Sequence, residues 1–179
     1  MKKLVILSLI VVAFLTAPPV IAQKFTGLQK SPTDIAYAKK GWKDKPTIKV
    51  IYSRPQKNGR VIFGSLEKYG KVWRTGADES TEIELFQDYK FGSNTIKAGT
   101  YSLFTIPGEK EWTVILNSDL NSWGAFSYEE SKDVARIKVP VKKSKNAIEV
   151  FSIVFEAADQ GYHMFLGWDD TIVEVPFYN

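Results

Sequence analysis

From position 46 onward, hydrophobic and polar residues alternate with a period of two. In 47–53, Ile48, Val50 and Tyr52 share one face of an extended chain, and Lys49 lies on the other with Ile51. In 81–86, Ile83 and Leu85 point one way, Glu82 and Glu84 the other. Segments 100–106 and 111–117 flank Pro107-Gly108-Glu109-Lys110, a hairpin signal, and in the second of them Trp112, Val114 and Leu116 share a face. In 135–141, Ile137, Val139 and Val141 oppose Arg136 and Lys138, and 60–63, 147–156, 162–168 and 171–176 complete the set. Segment 147–156 is apolar on both faces, which predicts a central strand covered by a second layer. Short strands separated by turn signals, with almost no helical period, predict an all-β fold. The expected architecture is an antiparallel, jelly-roll-like β-sandwich. Residues 23–45 lack this period. There Ser31-Pro32-Thr33-Asp34 predicts a short helix over 35–39, giving a partly helical N-terminal arm.

The start of the chain has a different pattern. Lys2 and Lys3 precede an apolar run over 4–15, broken only by Ser8, and Pro18-Pro19 leads into Val20-Ile21-Ala22. This is the plan of an export signal cleaved after Ala22. The expected organisation is a signal peptide over 1–22, an arm over 23–45 and one β-sandwich domain over 46–179. A periplasmic or secreted location follows, with no membrane span after cleavage. Removing the signal also changes the charge argument. The formal charge of +4 includes two lysines and no acids from that segment, so the remainder carries +2. Such a near balance excludes the concentrated positive field of a nucleic-acid binder. The lysines at 39, 40, 43 and 45, and at 142, 143 and 145, are read as solvated surface.

There is no cysteine, which excludes disulfides and thiolate metal sites. His163 is the only histidine and has no adjacent Ser or Asp signature, so neither a His-based triad nor a His-rich metal site is expected. No phosphate loop, dinucleotide fingerprint or nucleophile elbow is present. No cofactor and no catalytic residue is assigned. Asp169-Asp170 is read as a turn as readily as a carboxylate calcium site.

Functional chemistry concentrates in 52–79, YSRPQKNGRVIFGSLEKYGKVWRTGADE, punctuated by Gly59, Gly64, Gly70 and Gly76. Together with AGTYSLFTIPGEKEWTVILN (98–117) and NSWGAFSYEESKDVARIKV (121–139), this stretch resembles the bacterial exported family known as domain of unknown function 2911, over about residues 46 to 176. The resemblance implies an exported single domain and supplies no activity, cofactor or site residue. The residues themselves nominate a ligand-binding set: Arg54, Arg60, Trp73, Arg74, Asp78, Glu79, Tyr101, Trp123 and Tyr128. Arginine forks suit carboxylates, and exposed Trp or Tyr suits the apolar face of a sugar. Trp73 and Trp123, each beside glycine and polar residues, are expected to line a cavity, whereas Trp112 and Trp168 are expected in the core. Adjacent carboxylates such as Asp78 and Glu79 point to opposite faces of an extended chain.

Three readings stay open on these grounds. The first is a non-catalytic module for a small polar ligand or glycan. The second is a glycan hydrolase using Glu79 with Asp169, Glu129 or Glu130. The third is an envelope structural protein in which an Arg74–Glu79 clamp only holds the fold.

Overall fold

The computed structural model describes residues 24–179. The export signal expected over 1–22 lies outside the described residues. Among those described, no helix is long and apolar enough to cross a membrane. The fold is all-β and antiparallel. Seven strands form one sheet in the order β1-β2-β3-β6-β7-β8-β9, and β4 and β5 form a separate hairpin. These are β1 (Thr33–Ala38), β2 (Ile48–Ser53), β3 (Thr81–Leu85), β4 (Tyr89–Phe91), β5 (Asn94–Ile96), β6 (Gly99–Ile106), β7 (Glu111–Asn117), β8 (Asp133–Ala158) and β9 (Gly161–Phe177).

The sheet curls on itself into a nearly closed barrel, which corrects the jelly-roll sandwich. The cause lies in the two long strands. β8 pairs with β7 through its first half and with β9 through both halves, and its register slips between Lys143 and Ile148 and again between Ile148 and Ser152. Such bulges bend a strand and sharpen its twist. The bend carries the far half of β8 round to the start of the sheet. There the Phe151 amide donates to the Pro55 carbonyl at 2.9 Å, the Lys57 amide donates to Glu149 O at 2.7 Å, and Gln56 bridges Val150. Arg54 reinforces the seam, donating to the Phe151 carbonyl, Asp34 and Ser152.

Segment 35–39 is strand, not helix. Pairing of Ile35 with Ile51 and Ala36 with Val50 supplies β1 with a full ladder, and Ala36 and Ala38 face inward. The doubly covered position is also not 147–156, where Val154 is 52% exposed. It falls on β6 and β7, where the outward-facing Phe104 and Ile115 are paired and buried. Residues 118–132 cover that outer face, with the Tyr128 ring 5.2 Å from Phe104. Inside the barrel an aromatic cluster fills one region. Trp73 stacks on Trp168 at 5.9 Å, and Phe63 meets Trp112 edge-on at 4.8 Å. Elsewhere in the core, Tyr89 and Phe91 of the β4–β5 hairpin pack on Phe177.

Candidate functional site

The loop between β2 and β3, residues 54–80, folds over the aromatic cluster and is held there by a chain of short-range constraints. Asn58 and Gly59, both with positive φ, make a turn in which the Arg60 amide donates to Lys57 O. Trp73 exchanges both backbone hydrogen bonds with Thr105 of β6, at 2.7 and 2.9 Å. The next bend is tied from every side. The Trp73 indole donates to Gly76 O, the Thr81 hydroxyl donates to Thr75 O, and the Thr75 and Thr105 hydroxyls meet at 3.0 Å. Gly76 is required by close approach, since a Cβ there would lie 3.0 Å from the Ser53 carbonyl. Thr75 and Asp78 occupy the left-handed region at φ 57° and 59°. For a buried β-branched residue this is an outlier, of a kind that persists only where surroundings over-determine it.

That bend presents Arg74 and Asp78 to a cavity of about 390 Å³, which Asn58, Arg60 and Glu67 also line, with Trp168 at its apolar side. The charges here are not matched into pairs. Among the described residues, Arg74, Glu67 and Asp78 take part in no ion pair. The Arg74 Nε is buried and has no hydrogen-bond partner. An unanswered buried donor of this kind costs about 1–3 kcal/mol or more. Arg60 is partly satisfied by the Gln56 and Lys57 carbonyls. Burial pushes the Glu67 carboxyl above the ordinary carboxylate range, while Arg74 and then Arg60 pull it back. The adjoining concavity, about 490 Å³, is lined instead by Glu79, Ser80, Glu82 and Asn121. Asp78 and Glu79 therefore line different cavities, separated by the left-handed bend at Asp78 rather than by strand alternation.

Of the nine residues nominated from sequence, Arg60, Arg74 and Asp78 meet in the first cavity. Trp73 does not join them, because its ring is buried in the aromatic cluster beneath. Alternation sends it inward and its neighbour Arg74 outward. Trp123, 60% exposed, stands at the surface, bridged through its backbone to Glu79. Arg54 is committed to the barrel seam. Tyr101 donates to the Lys97 carbonyl, far along β6 from this loop. Tyr128 belongs to a separate network, where it donates to Asp133 and accepts from Arg136. Burial pushes that phenol up to about 12, with Arg136 lowering and Asp133 raising it.

The acids considered as partners for Glu79 are held elsewhere. Asp169 faces Lys57 at 3.6 Å, Glu129 pairs with Lys132 at 3.0 Å, and Glu130 pairs with Arg136 at 3.1 Å. Arg74 and Glu79 form no clamp. His163 is hydrogen-bonded to Glu174, which also pairs with Lys142. Among the described residues no group of three or more carboxylate or imidazole ligands is gathered for a metal.

Glu67 was absent from the nominated set. The available signal was an acid between Gly64 and Gly70 in the same glycine-punctuated run. It is brought to the cavity by a fold-back in which Gly64 N donates to Glu67 O and Tyr69 packs against the Gly64 Cα, where no side chain fits. No curated protein and no solved structure matches the chain. The sequence does match one family over residues 31–177, described as Protein of unknown function (DUF2911), and the chain belongs to that family.

Proposed function

We propose that this is an exported, non-catalytic β-barrel module that holds a small polar ligand in the cavity of the β2–β3 loop. One observation carries the reading: Arg74 lines a cavity with its Nε buried and unanswered. Buried polar groups in folded proteins are almost always paired, and of the two unanswered buried side-chain donors among the described residues, Arg74 Nε and Trp112 Nε1, only the arginine carries a charge and belongs to a residue that lines this cavity. The strain at Thr75 and Asp78 beside it supports the same reading, since such conformations cluster at ligand sites. A compact polar ligand is favoured over a glycan. The expected Trp73 platform is covered by protein, and Trp123 is not among the residues around this cavity.

The test is a thermal-shift screen of small polar metabolites against the wild type and Arg74→Met. A ligand at 100-fold above its Kd adds about 2.7 kcal/mol to stability, which is readily seen. The reading predicts at least one compound that raises the wild-type midpoint and leaves the variant unmoved. Equal shifts in both proteins, or none in either, would reject it. The exported location is tested separately. N-terminal mass spectrometry of protein recovered outside the cytoplasm should find Gln23 first.

A further inference from the structure

The charges around this cavity come in both signs and do not meet one another. Arg74 lines it with no ion pair and with its buried Nε unpartnered, and Glu67 and Asp78 supply carboxylates without an ion-pair or hydrogen-bonded side-chain partner among the described residues. Arg60 lies on the same wall, partly occupied by the Gln56 and Lys57 carbonyls. Glu67 feels both arginines across the space without touching either. The gap between opposite charges is therefore part of the cavity itself, and whatever fills it must bridge them.

Ligand classes can be separated by what each would leave unmatched. A phosphate or sulfate would suit Arg74 but would face Glu67 and Asp78 at close range. Like charges confined together are strongly disfavoured. A simple monocarboxylate has the same fault to a lesser degree. An amine alone would suit the acids and leave Arg74 as it is now. A neutral sugar gives the buried guanidinium no counter-charge, which forgoes the strongest available hydrogen bond. Only a ligand carrying both a carboxylate and an ammonium answers both signs. The cavity, about 390 Å³, sits at the small end of the range for small-molecule sites, roughly 300–1,000 Å³. Leu66 and Trp168 on its wall offer an apolar surface to a side chain.

We propose that the cavity takes a small zwitterion of the α-amino acid class, with its carboxylate on Arg74 and its ammonium toward Glu67 and Asp78. This rests on the small-ligand reading of the same site and narrows it to one chemistry. Lys30 and Ser31, from the segment before β1, also line the cavity, and Lys30 adds a further positive charge to it.

The experiment is a calorimetric and thermal-shift comparison on the full exported chain. The probes are the twenty free amino acids, their N-acetyl derivatives, their carboxamides, propionate, ethylamine and glucose. Expected is saturable binding of at least one free amino acid, weakened tenfold or more both by N-acetylation and by conversion to the amide. Arg74→Met should abolish it, and Glu67→Gln should weaken the free amino acid while leaving its N-acetyl derivative unchanged. Binding of propionate or glucose at least as tight as any free amino acid would overturn the zwitterion assignment and leave the small-ligand reading standing. Equal affinity for an amino acid and its N-acetyl derivative would do the same. If no probe and no metabolite from the wider screen binds, both fall together.

Discussion

Between residues 117 and 136 every charged side chain is answered by a neighbour, whereas around Arg74 the charges stand apart. In the first region Lys132 pairs with Asp119 at 2.9 Å and with Glu129 at 3.0 Å. Arg136 serves Asp133, Glu130 and the Tyr128 hydroxyl, and Asn117 donates to Asp133 at 2.8 Å and to the Glu129 carbonyl. These groups fix a long connection over the outer face of β6 and β7, and nothing in them is left over. The second region has equal polarity and the opposite accounting. Its backbone is pinned as firmly, yet its side-chain charges end in open space. Satisfaction of a polar network marks a folding role, and on the proposed function its absence within a rigid frame marks the ligand's place.

The comparison is broken most severely from below. The loop that carries Arg74 folds over the interior aromatic cluster, in which Phe63 meets Trp112, so Trp112→Ala should cost about 3–5 kcal/mol in a urea melt. Trp123, which belongs to the first region and is largely exposed, should cost under about 1 kcal/mol when truncated. Comparable losses would mean that Trp123 is part of the packing.

The next effect separates the two arginines. Arg136→Met leaves the nearly buried Asp133 carboxylate without its guanidinium and should cost about 2–3 kcal/mol. Arg74→Met removes no hydrogen bond or ion pair of its guanidinium among the described residues and should cost under about 1 kcal/mol, or even stabilise. Paired urea denaturation reads both. A large loss at Arg74 would place it in the scaffold.

A smaller effect lies in acid. Glu67 is raised from its ordinary value of 4.5, chiefly by burial, so its favourable contribution is present below 4.5 and is lost as pH rises through the folded-state value. Asp119 is lowered from 3.8 by Lys132 and then Ser122, so its contribution is present above 3.8 and is lost as pH falls through the folded-state value. Glu67→Gln should therefore melt above wild type at pH 7, and Asp119→Asn below it. On acidification the first gap should close by about pH 4.5 and the second only below pH 3.8. Gaps of the same sign in a melting series across pH would erase the distinction.

The smallest change expected is at Asp78. Its left-handed backbone suits glycine, and its side chain has no protein partner, so Asp78→Gly should be neutral or stabilise by up to about 1 kcal/mol. A clear loss in a thermal melt would show that Asp78 contributes structurally after all.

Strand faces were legible because burial in a sheet follows the period of two directly: Ile48, Val50 and Tyr52, or Trp112, Val114 and Leu116, all lie inward. β1 was not legible. Its inward residues are Ala36 and Ala38, too small to mark a face, and Ser-Pro-Thr-Asp imitates a helix start. The jelly-roll expectation failed for a different reason. Closure depends on where β8 bends, between Lys143 and Ser152, and a bend is set by pairing with distant strands. The same limit applied at the site. Trp73 and Arg74 are neighbours in sequence and were assigned to one cavity, yet alternation places one beneath its floor and the other on its wall. Glu67 could be placed only by the fold-back onto Gly64. Within the Tyr52–Glu79 stretch, which members converge on one cavity is a tertiary property.

The seam that closes the barrel has a consequence for how the chain reaches this state. Tyr52 bonds Ile153 and Arg54 bonds Phe151 across separations of 101 and 97 residues. Contacts so distant in sequence require a long loop to close before they return any free energy, and folding slows accordingly. Residues 54–57, just after β2, are made early and meet residues 149–151 only after nearly the whole chain has followed. Meanwhile the edge of β1 stands open, flanked by Pro32 and by lysines at 39, 40, 43 and 45, residues that discourage pairing with a second chain. Among the described residues β1 ends the sheet and pairs only with β2, so those lysines guard an edge that stays open after folding as well as before it.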